Sequence, residues 1–378
     1  MLKNSCALLL LGCVLLAQAS AQQARSDWPE FHYGNARLGN NPFDFFFTPA
    51  NVSRLAVAWR FPTGQMVTSP AVVNGVVYTS SYDLHAYAID ARTGVQIWSY
   101  LFGPGGTADS SPAVANGVVY MGADTGSMYA FDAQTGAVLW TYHTGGHIGS
   151  APAVANGIVY FGSLDHYIYA LNASTGAFIW RYQTQYYAAS PPSVVNGVVY
   201  VGSDDGTVYA LNASTGVLIW TFTTGGYVFS APAVANGMVY FGSFDHNVYA
   251  VDANTGRVVW RYPTANEVGA APAVANGLVY IGSLDNSVYA LNANTGVLVW
   301  SYPTGGEIVS SAAVANGIVF VGSLDTYLYA LNANTGVLLA RFATGGAIES
   351  SPAIANFGVY VGNDDRHLYA FSLPTADE

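Results

Sequence analysis

An Asn-Gly pair returns along this chain at near-constant spacing, at Asn74, Asn116, Asn156, Asn196, Asn236, Asn276 and Asn316, and Asn356-Phe357 is an eighth equivalent. The first interval is 42 residues and the six that follow are 40. A fixed period of this size marks units that cannot bury an apolar face alone and must stack on their neighbours. Within one unit, Pro152 to Tyr160 is two short apolar runs joined by Asn156-Gly157, a strong hairpin signal. Asp165 marks a second turn, followed by an alternating strand from Tyr167 to Leu171. Asn172 to Gly176 is a third turn, and Ala177 to Tyr182 a fourth strand. Four antiparallel strands in about 40 residues is the arithmetic of a β-propeller blade. The chain therefore reads as all-β, an eight-bladed β-propeller of four-stranded antiparallel blades. The last unit stops at Ser372 before any fourth strand, while Leu55 to Phe61 is a fourth strand without its first three. Joining this N-terminal strand to the C-terminal blade closes the ring and leaves no open edge. The expected boundaries are a leader at 1–21, a lead-in segment at 22–54 and the propeller at 55–378.

The leader reads as a secretory signal: Lys3, an apolar run from Ala7 to Ala17, and Ala19-Ser20-Ala21 as a small-x-small cleavage site. The apolar run is shorter than the roughly 20 residues a membrane span needs. The expected location is the periplasm or outside the cell. Lipid attachment at Cys13, after Leu10-Leu11-Gly12, is the lesser alternative. Cleavage after Ala21 removes both cysteines, Cys6 and Cys13, and the only lysine, Lys3. That excludes disulfides, thiol nucleophiles and Schiff-base chemistry. The mature chain then sets 10 arginines against 22 acids, which excludes nucleic acid as a partner, because phosphate binding needs clustered cations. With 52% hydrophobic and only 9% charged residues, an acidic disordered chain is excluded as well.

The third and fourth strands of each unit carry a common pattern, Ala-x-Asp/Asn-x-x-Thr-Gly-x-x-x-Trp. Ala88 to Trp98 has Asp90, Thr93 and Gly94, and Ala210 to Trp220 has Asn212, Thr215 and Gly216. Six copies are complete; the seventh, Ala330 to Ala340, lacks the tryptophan, and Trp59 stands in for that of the eighth. This resembles the tryptophan-docking motif of the quinoprotein-like, PQQ-type propellers. The stretch from Asp27-Trp28-Pro29 through Asn51-Val52 to Ala58-Trp59 resembles the N-terminal segment of the same family. That family includes PQQ-dependent alcohol dehydrogenases and non-catalytic propellers such as the lipoprotein of the outer-membrane assembly machine, and the motif is common to both. Trp59, Trp98, Trp140, Trp180, Trp220, Trp260 and Trp300 read as structural, since large flat rings wedged between blades bury much apolar area. Asp83, Asp165, Asp205, Asp245, Asp285, Asp325 and Asp365 share one turn position and read as caps of their own turns.

Alternation places the Asn-Gly and Thr-Gly turns at one end of every blade, and the Asp turn and blade-to-blade connection at the other. The first end is nearly the same in every unit; the second varies. In the connections a middle residue stays apolar: Met66, Ala108, Ile148, Ala188, Val228, Val268, Ile308 and Ile348. Its two neighbours should point the other way, toward the channel mouth. The candidate ligand-binding residues are therefore His147, Tyr186, Tyr187, Tyr227, Phe229, Glu267, Glu307 and Glu349, with Arg366 at the Asp turn of the same face. His85, His166, His246 and His367 lie near those turns. For an enzyme, the resemblance implies PQQ, a tri-carboxylate held by cationic groups and usually Ca²⁺, together with adjacent cysteines and a longer chain. No PQQ-binding or catalytic residue carries over by motif. A Ca²⁺ site of Glu267, Glu307 and Glu349 is the metal alternative, against the simpler reading of solvated rim carboxylates. The expectation is an exported, monomeric, non-catalytic binding or scaffold propeller that takes a protein, peptide or small-molecule ligand at an acidic aromatic face. The alternative is a small PQQ/Ca-dependent dehydrogenase of an alcohol or sugar.

Overall fold

The computed structural model describes residues 27–103, 106 and 110–374. The leader with Lys3, Cys6 and Cys13, and the connection residue Ala108, lie outside the described residues. Among the described residues, thirty-two strands form eight four-stranded antiparallel sheets. The first complete blade is β2 (Ala71–Val73), β3 (Val76–Ser81), β4 (His85–Asp90) and β5 (Gln96–Leu101), in that order from the axis outward. The last blade is β30 (Ala353–Ala355), β31 (Gly358–Gly362) and β32 (His367–Ser372), completed by β1 (Ala56–Pro62) from the start of the chain. β1 pairs antiparallel with β32 from Ala56↔Ser372 to Pro62↔His367, and β2 meets β30 across the axis side. The ring closes as the out-of-phase ends required.

The local chemistry explains each turn. At the inner hairpin, Asn156 and Gly157 both take positive φ, 51° and 75°, the geometry that matches strand twist in a two-residue hairpin. At the outer turn, the Asn172 carboxamide oxygen accepts the N–H groups of Ser174 and Thr175, each at 3.0 Å. The turn aspartates do more than cap. Asp165 Oδ1 accepts Tyr167 N–H at 3.2 Å, and Oδ2 accepts the Tyr169 hydroxyl at 2.6 Å and the Gly145 N–H of the preceding blade at 2.8 Å. Asp83 Oδ2 accepts Gly64 N–H at 2.6 Å and so ties the first blade to the strand that closes the ring.

The blades hold one another through the tryptophans. Trp98 donates its indole N–H to Ala133 O at 2.9 Å and lies flat on the following Thr-Gly turn: a Cβ at Gly136 would stand 2.7 Å from its ring. The same contact repeats from Trp140 onward to Trp300 on Gly336, and Trp59 of the last blade rests on Gly94 of the first. The seventh blade has Ala340 in this place, and the structure gives the reason. Its receiving turn would fall between β32 and β1, where the chain is not continuous, so no Thr-Gly turn exists for a tryptophan to cover. Near the axis, serine hydroxyls bridge neighbouring blades: Ser110 to Ser150 O, Ser150 to Ser190 O and Ser190 to Ser230 O, at 3.0, 3.2 and 3.0 Å.

Residues 27–41 fill the axis. They run round the inside of the ring and serve the inner strands in chain order. Val72, Val114, Val194, Val234, Val274 and Val314 donate their N–H groups to the carbonyls of Trp28, Pro29, Asn35, Ala36, Leu38 and Gly39. The Val154 N–H goes to the Glu30 carboxylate, and Asn41 Nδ2 donates to Ile354 O at 2.8 Å. The short inner strands are edges, and unpaired edge groups in a dry channel would each cost the desolvation of a lost hydrogen bond. Arg37 is fully buried at the centre. Its guanidinium donates to the carbonyls of Phe31, Ala151, Pro152 and Pro192, and Nη1 stands 3.4 Å from Glu30 Oε2. His32 is equally buried, with its two ring nitrogens 2.9 and 2.8 Å from the carbonyl oxygens of Arg37 and Ala312, to one of which the neutral ring donates its single N–H. Burial holds it neutral by lowering its pKa to about 4.

Candidate functional site

The face built from the Asp turns and the connections has one repeating backbone unit. The residue before the buried apolar one accepts an N–H from the turn beside it: Leu164 to His147 O at 2.8 Å, Phe244 to Tyr227 O at 2.9 Å, Leu324 to Glu307 O at 3.0 Å. Ile148, Ala188, Val228, Val268, Ile308 and Ile348 are all fully buried as expected. In the first connection the buried residue is Val67 rather than Met66. That connection is one residue shorter, and the missing residue falls after the apolar position. Val67 therefore lies against Gly362 as Ile148 lies against Gly122, and Met66 O accepts Tyr82 N–H at 3.0 Å. The residue facing the mouth here is Met66, and Gln65 sits one step back.

The aromatic residues gather. Tyr186 and Tyr187 have ring centroids 4.3 Å apart, with the His166 ring 5.5 and 5.3 Å from them. Tyr227 and Phe229 are 5.9 Å apart, and Phe244 lies 5.0 Å from Phe229 and 6.1 Å from Tyr227. The Tyr186 hydroxyl is held above its usual pKa, first by its hydrogen bond with Tyr187 and more weakly by the charges of Tyr227 and Asp204.

The acids do not gather in the same way. Glu267 and Glu307 belong to the connections that lead into the sixth and seventh blades, and Glu349 to that of the eighth. Among the described residues, no three His, Cys, Asp or Glu side chains come together as a group that could hold a metal ion. Arg366 occupies the left-handed turn position at φ 69°, and its carbonyl accepts Thr63 N–H at 2.8 Å. His147 Nδ1 stands 4.0 Å from Asp124 Oδ1. His85 and His367 bond the carbonyls of Asp83 and Asp365 in their own turns, each at 3.0 Å.

Three acids on this face escaped the sequence reading: Asp124, Asp204 and Asp364. Each stands at the position before the turn aspartate, or its equivalent, where other blades carry Tyr82, Leu164, Phe244, Leu284 or Leu324. Column-by-column comparison of the repeats holds that signal. Asp204 is the unusual one. It is 8% exposed, and Oδ1 is buried without a hydrogen-bond partner among the described residues. Burial, with some help from Asp205, raises its pKa to about 6. On the opposite end of the ring, a cavity of about 650 Å³ opens at the seam of the last and first blades, between Trp59, Tyr360, Phe357 and Leu373.

Comparison with known proteins places this architecture. A family model described as outer membrane protein assembly factor BamB matches residues 102–190, 186–261, 239–312 and 303–378. A second, described as the β-propeller domain of glucose/ethanol/alcohol dehydrogenase, matches residues 45–109. The chain belongs to the PQQ-type β-propeller family. Over 84 residues, 21% of this chain and 12% of the relative, this PQQ-type propeller is 36% identical to quinohemoprotein alcohol dehydrogenase of Comamonas testosteroni. The crystal structure of BamB from Moraxella catarrhalis superposes with a TM-score of 0.73 at 19% identity, covering 84% of this chain and 99% of that one. Quinohemoprotein alcohol dehydrogenase from Comamonas testosteroni superposes with a TM-score of 0.80 at 18% identity, covering 95% of this chain and 83% of that one. At such identities the structural likeness shows the fold alone. No helix among the described residues is long and apolar enough to cross a membrane.

The mouth of this PQQ-type propeller does not fit the cofactor of the dehydrogenases. PQQ is a tri-carboxylate and needs cations around it. The charged side chains of this face among the described residues are acids, with Arg366 as the one arginine. The remaining described arginines are spent elsewhere: Arg37 in the axis, Arg54 in the lead-in segment, Arg60, Arg181, Arg261 and Arg341 on outermost strands, and Arg92 and Arg257 beside the Thr-Gly turns. Acidic surroundings repel an anion.

Proposed function

We propose that this chain is an exported, non-catalytic binding propeller whose working surface is the connection face, where it takes a cationic or peptide-like partner. The observation that carries the reading is the composition of that face: a tyrosine-rich arc at Tyr186, Tyr187 and Tyr227, the buried carboxylate of Asp204, and acids in the other connections. Such a surface attracts cations and offers aromatic faces to them. The match to the BamB family model over residues 102–378 supports a protein partner, and the apolar leader supports export. The dehydrogenase alternative draws on the 36% identical stretch shared with a quinohemoprotein enzyme. Calorimetric titration of the purified chain with PQQ, with and without Ca²⁺, followed by a dye-linked alcohol oxidation assay, separates the two. The expected result is neither heat nor turnover. Tight Ca²⁺-dependent binding with turnover overturns the reading in favour of the enzyme.

A further inference from the structure

We propose that the cavity at the seam of the last and first blades is a binding site for a neutral aromatic or hydrocarbon molecule. It lies at the opposite end of the ring from the connection face and stands independently of what that face binds.

The seam is where the last unit departs from its repeat. Asn356 is followed by Phe357 and Gly358, where the first unit has Gly75 and Val76 after Asn74. Phe357 takes φ 67°, a left-handed conformation that glycine fills in the seven other units. A bulky residue there is strained, and its ring is still 60% exposed. Phe46, from the lead-in segment and 39% exposed, meets that ring edge to face with centroids 4.8 Å apart. Two solvent-facing phenylalanines from distant parts of the chain thus form one wall of the cavity. The strain and the paired exposed rings are costs that a bound apolar molecule would offset.

The remaining walls suit the same occupant. Trp59 and Tyr360 have ring centroids 5.9 Å apart, and the Tyr360 ring lies against Gly358, where a Cβ would stand 2.6 Å from it. Leu373 lines the side where no turn joins β32 to β1. The corresponding hollow between the first and second blades has Val76 on its wall and no phenylalanine, and is smaller, at about 440 Å³. The seam cavity, at about 650 Å³, falls within the roughly 300–1,000 Å³ of small-molecule sites, which are mostly apolar with few polar groups.

The charges select a neutral ligand. Asp90 and Arg92 line the cavity, one of each sign. Asp27 is bonded to two of the lining asparagines, accepting Asn74 N–H at 3.0 Å and Asn356 Nδ2 at 3.4 Å. An anion therefore meets two acids against one base. A cation meets Arg92 and finds the carboxylates engaged, since Asp90 Oδ1 also accepts the Thr93 N–H and hydroxyl at 2.8 and 2.7 Å. What the walls leave on offer is ring and alkyl surface.

The test is fluorescence titration of the full chain with N-phenyl-1-naphthylamine, a neutral dye, and with 8-anilinonaphthalene-1-sulfonate, the same rings bearing a sulfonate. The neutral dye is expected to saturate at one molecule per chain and to bind at least about tenfold more tightly than the sulfonate. Phe357→Gly restores the residue of the other units and removes one wall; Leu373→Trp narrows the cavity. Each should weaken the neutral dye by at least about tenfold. Thermal unfolding confirms that both variants are folded, and Phe357→Gly should unfold no lower than the parent, because glycine accepts the left-handed turn without strain. Absence of saturable binding, equal or tighter binding of the sulfonate, or unchanged affinity in either folded variant overturns the proposal. None of these outcomes bears on the connection face, because Phe357 and Leu373 lie at the other end of the ring.

Discussion

The indole N–H of Trp59 donates to the carbonyl of Ala91 at 3.0 Å. Trp59 lies in the first strand of the chain and completes the last blade; Ala91 opens the outer turn of the first complete blade. This bond therefore seats the last blade on the first with the contact that joins Trp98 to Ala133 and Trp180 to Ala213, each at 2.9 Å. The seam is built like an ordinary blade interface, apart from the interface before it, where Ala340 has no turn to meet.

Truncating a seated tryptophan should be costly. Trp180→Ala is expected to destabilise by about 3–5 kcal/mol, in the range of large-to-small aromatic changes in cores. Ala340→Trp should bring no gain, because no Thr-Gly turn receives the ring. Denaturant unfolding of both variants checks the pair, and a stabilised Ala340→Trp would contradict the account of why that position is small.

Arg37 should be among the most sensitive residues of the axis. Arg37→Ala leaves Glu30 buried without its counter-charge and several carbonyls unbonded, with an expected loss of about 3–5 kcal/mol. The double change Arg37→Met with Glu30→Leu should recover part of this loss, since it removes both charges but not the orphaned carbonyls. Midpoints of thermal unfolding measure the difference.

The second-strand tyrosines separate into used and unused hydroxyls. Tyr160 donates to Ala213 O at 3.1 Å, whereas the buried Tyr280 hydroxyl has no partner among the described residues. Tyr160→Phe should cost about 1 kcal/mol and Tyr280→Phe should be neutral or stabilising. The comparison is internal to one protein and needs only equilibrium unfolding of the two variants.

Asp204 gives stability a pH dependence of definite sign. Its pKa is raised from 3.8 to about 6 in the fold, so the ionised form is disfavoured there. Its contribution is fully present below about pH 4 and is lost as pH rises through about 6. Asp204→Asn should match the parent near pH 4 and exceed it above pH 7 by on the order of 1–2 kcal/mol. An equal difference at both pH values would show that the carboxylate does not titrate as described.

The eight blades were readable in the sequence because turn chemistry is local. Asn156-Gly157 needs no distant partner to make a hairpin, and a forty-residue beat repeats the statement until it is unambiguous. The mixed last blade was readable for the same reason, from phase alone. The axis was not. Glu30, His32 and Arg37 look like surface polar residues in a lead-in segment, and their burial depends on carbonyls more than a hundred residues away, such as Ala151 and Pro192. The mouth was half readable: Tyr186 and Tyr187 stood out as aromatic in a polar loop, while Asp204 was masked by the structural Asp205 beside it. The Met66 position failed because counting from the strand behind it passes over a one-residue deletion.

Segment 27–41 has one further consequence. The blades are so alike that little in any single interface fixes how many of them a ring should hold. The segment offers a separate station to each of eight inner strands, from Trp28 at the first to Asn41 at the last, whose amide meets Ile354 from 313 positions away. A ninth unit gained by duplication would find no station, and a ring of seven would leave one unclaimed. The cord through the middle is a ruler that counts blades, and it holds the ring to eight where the repeat itself is indifferent to number.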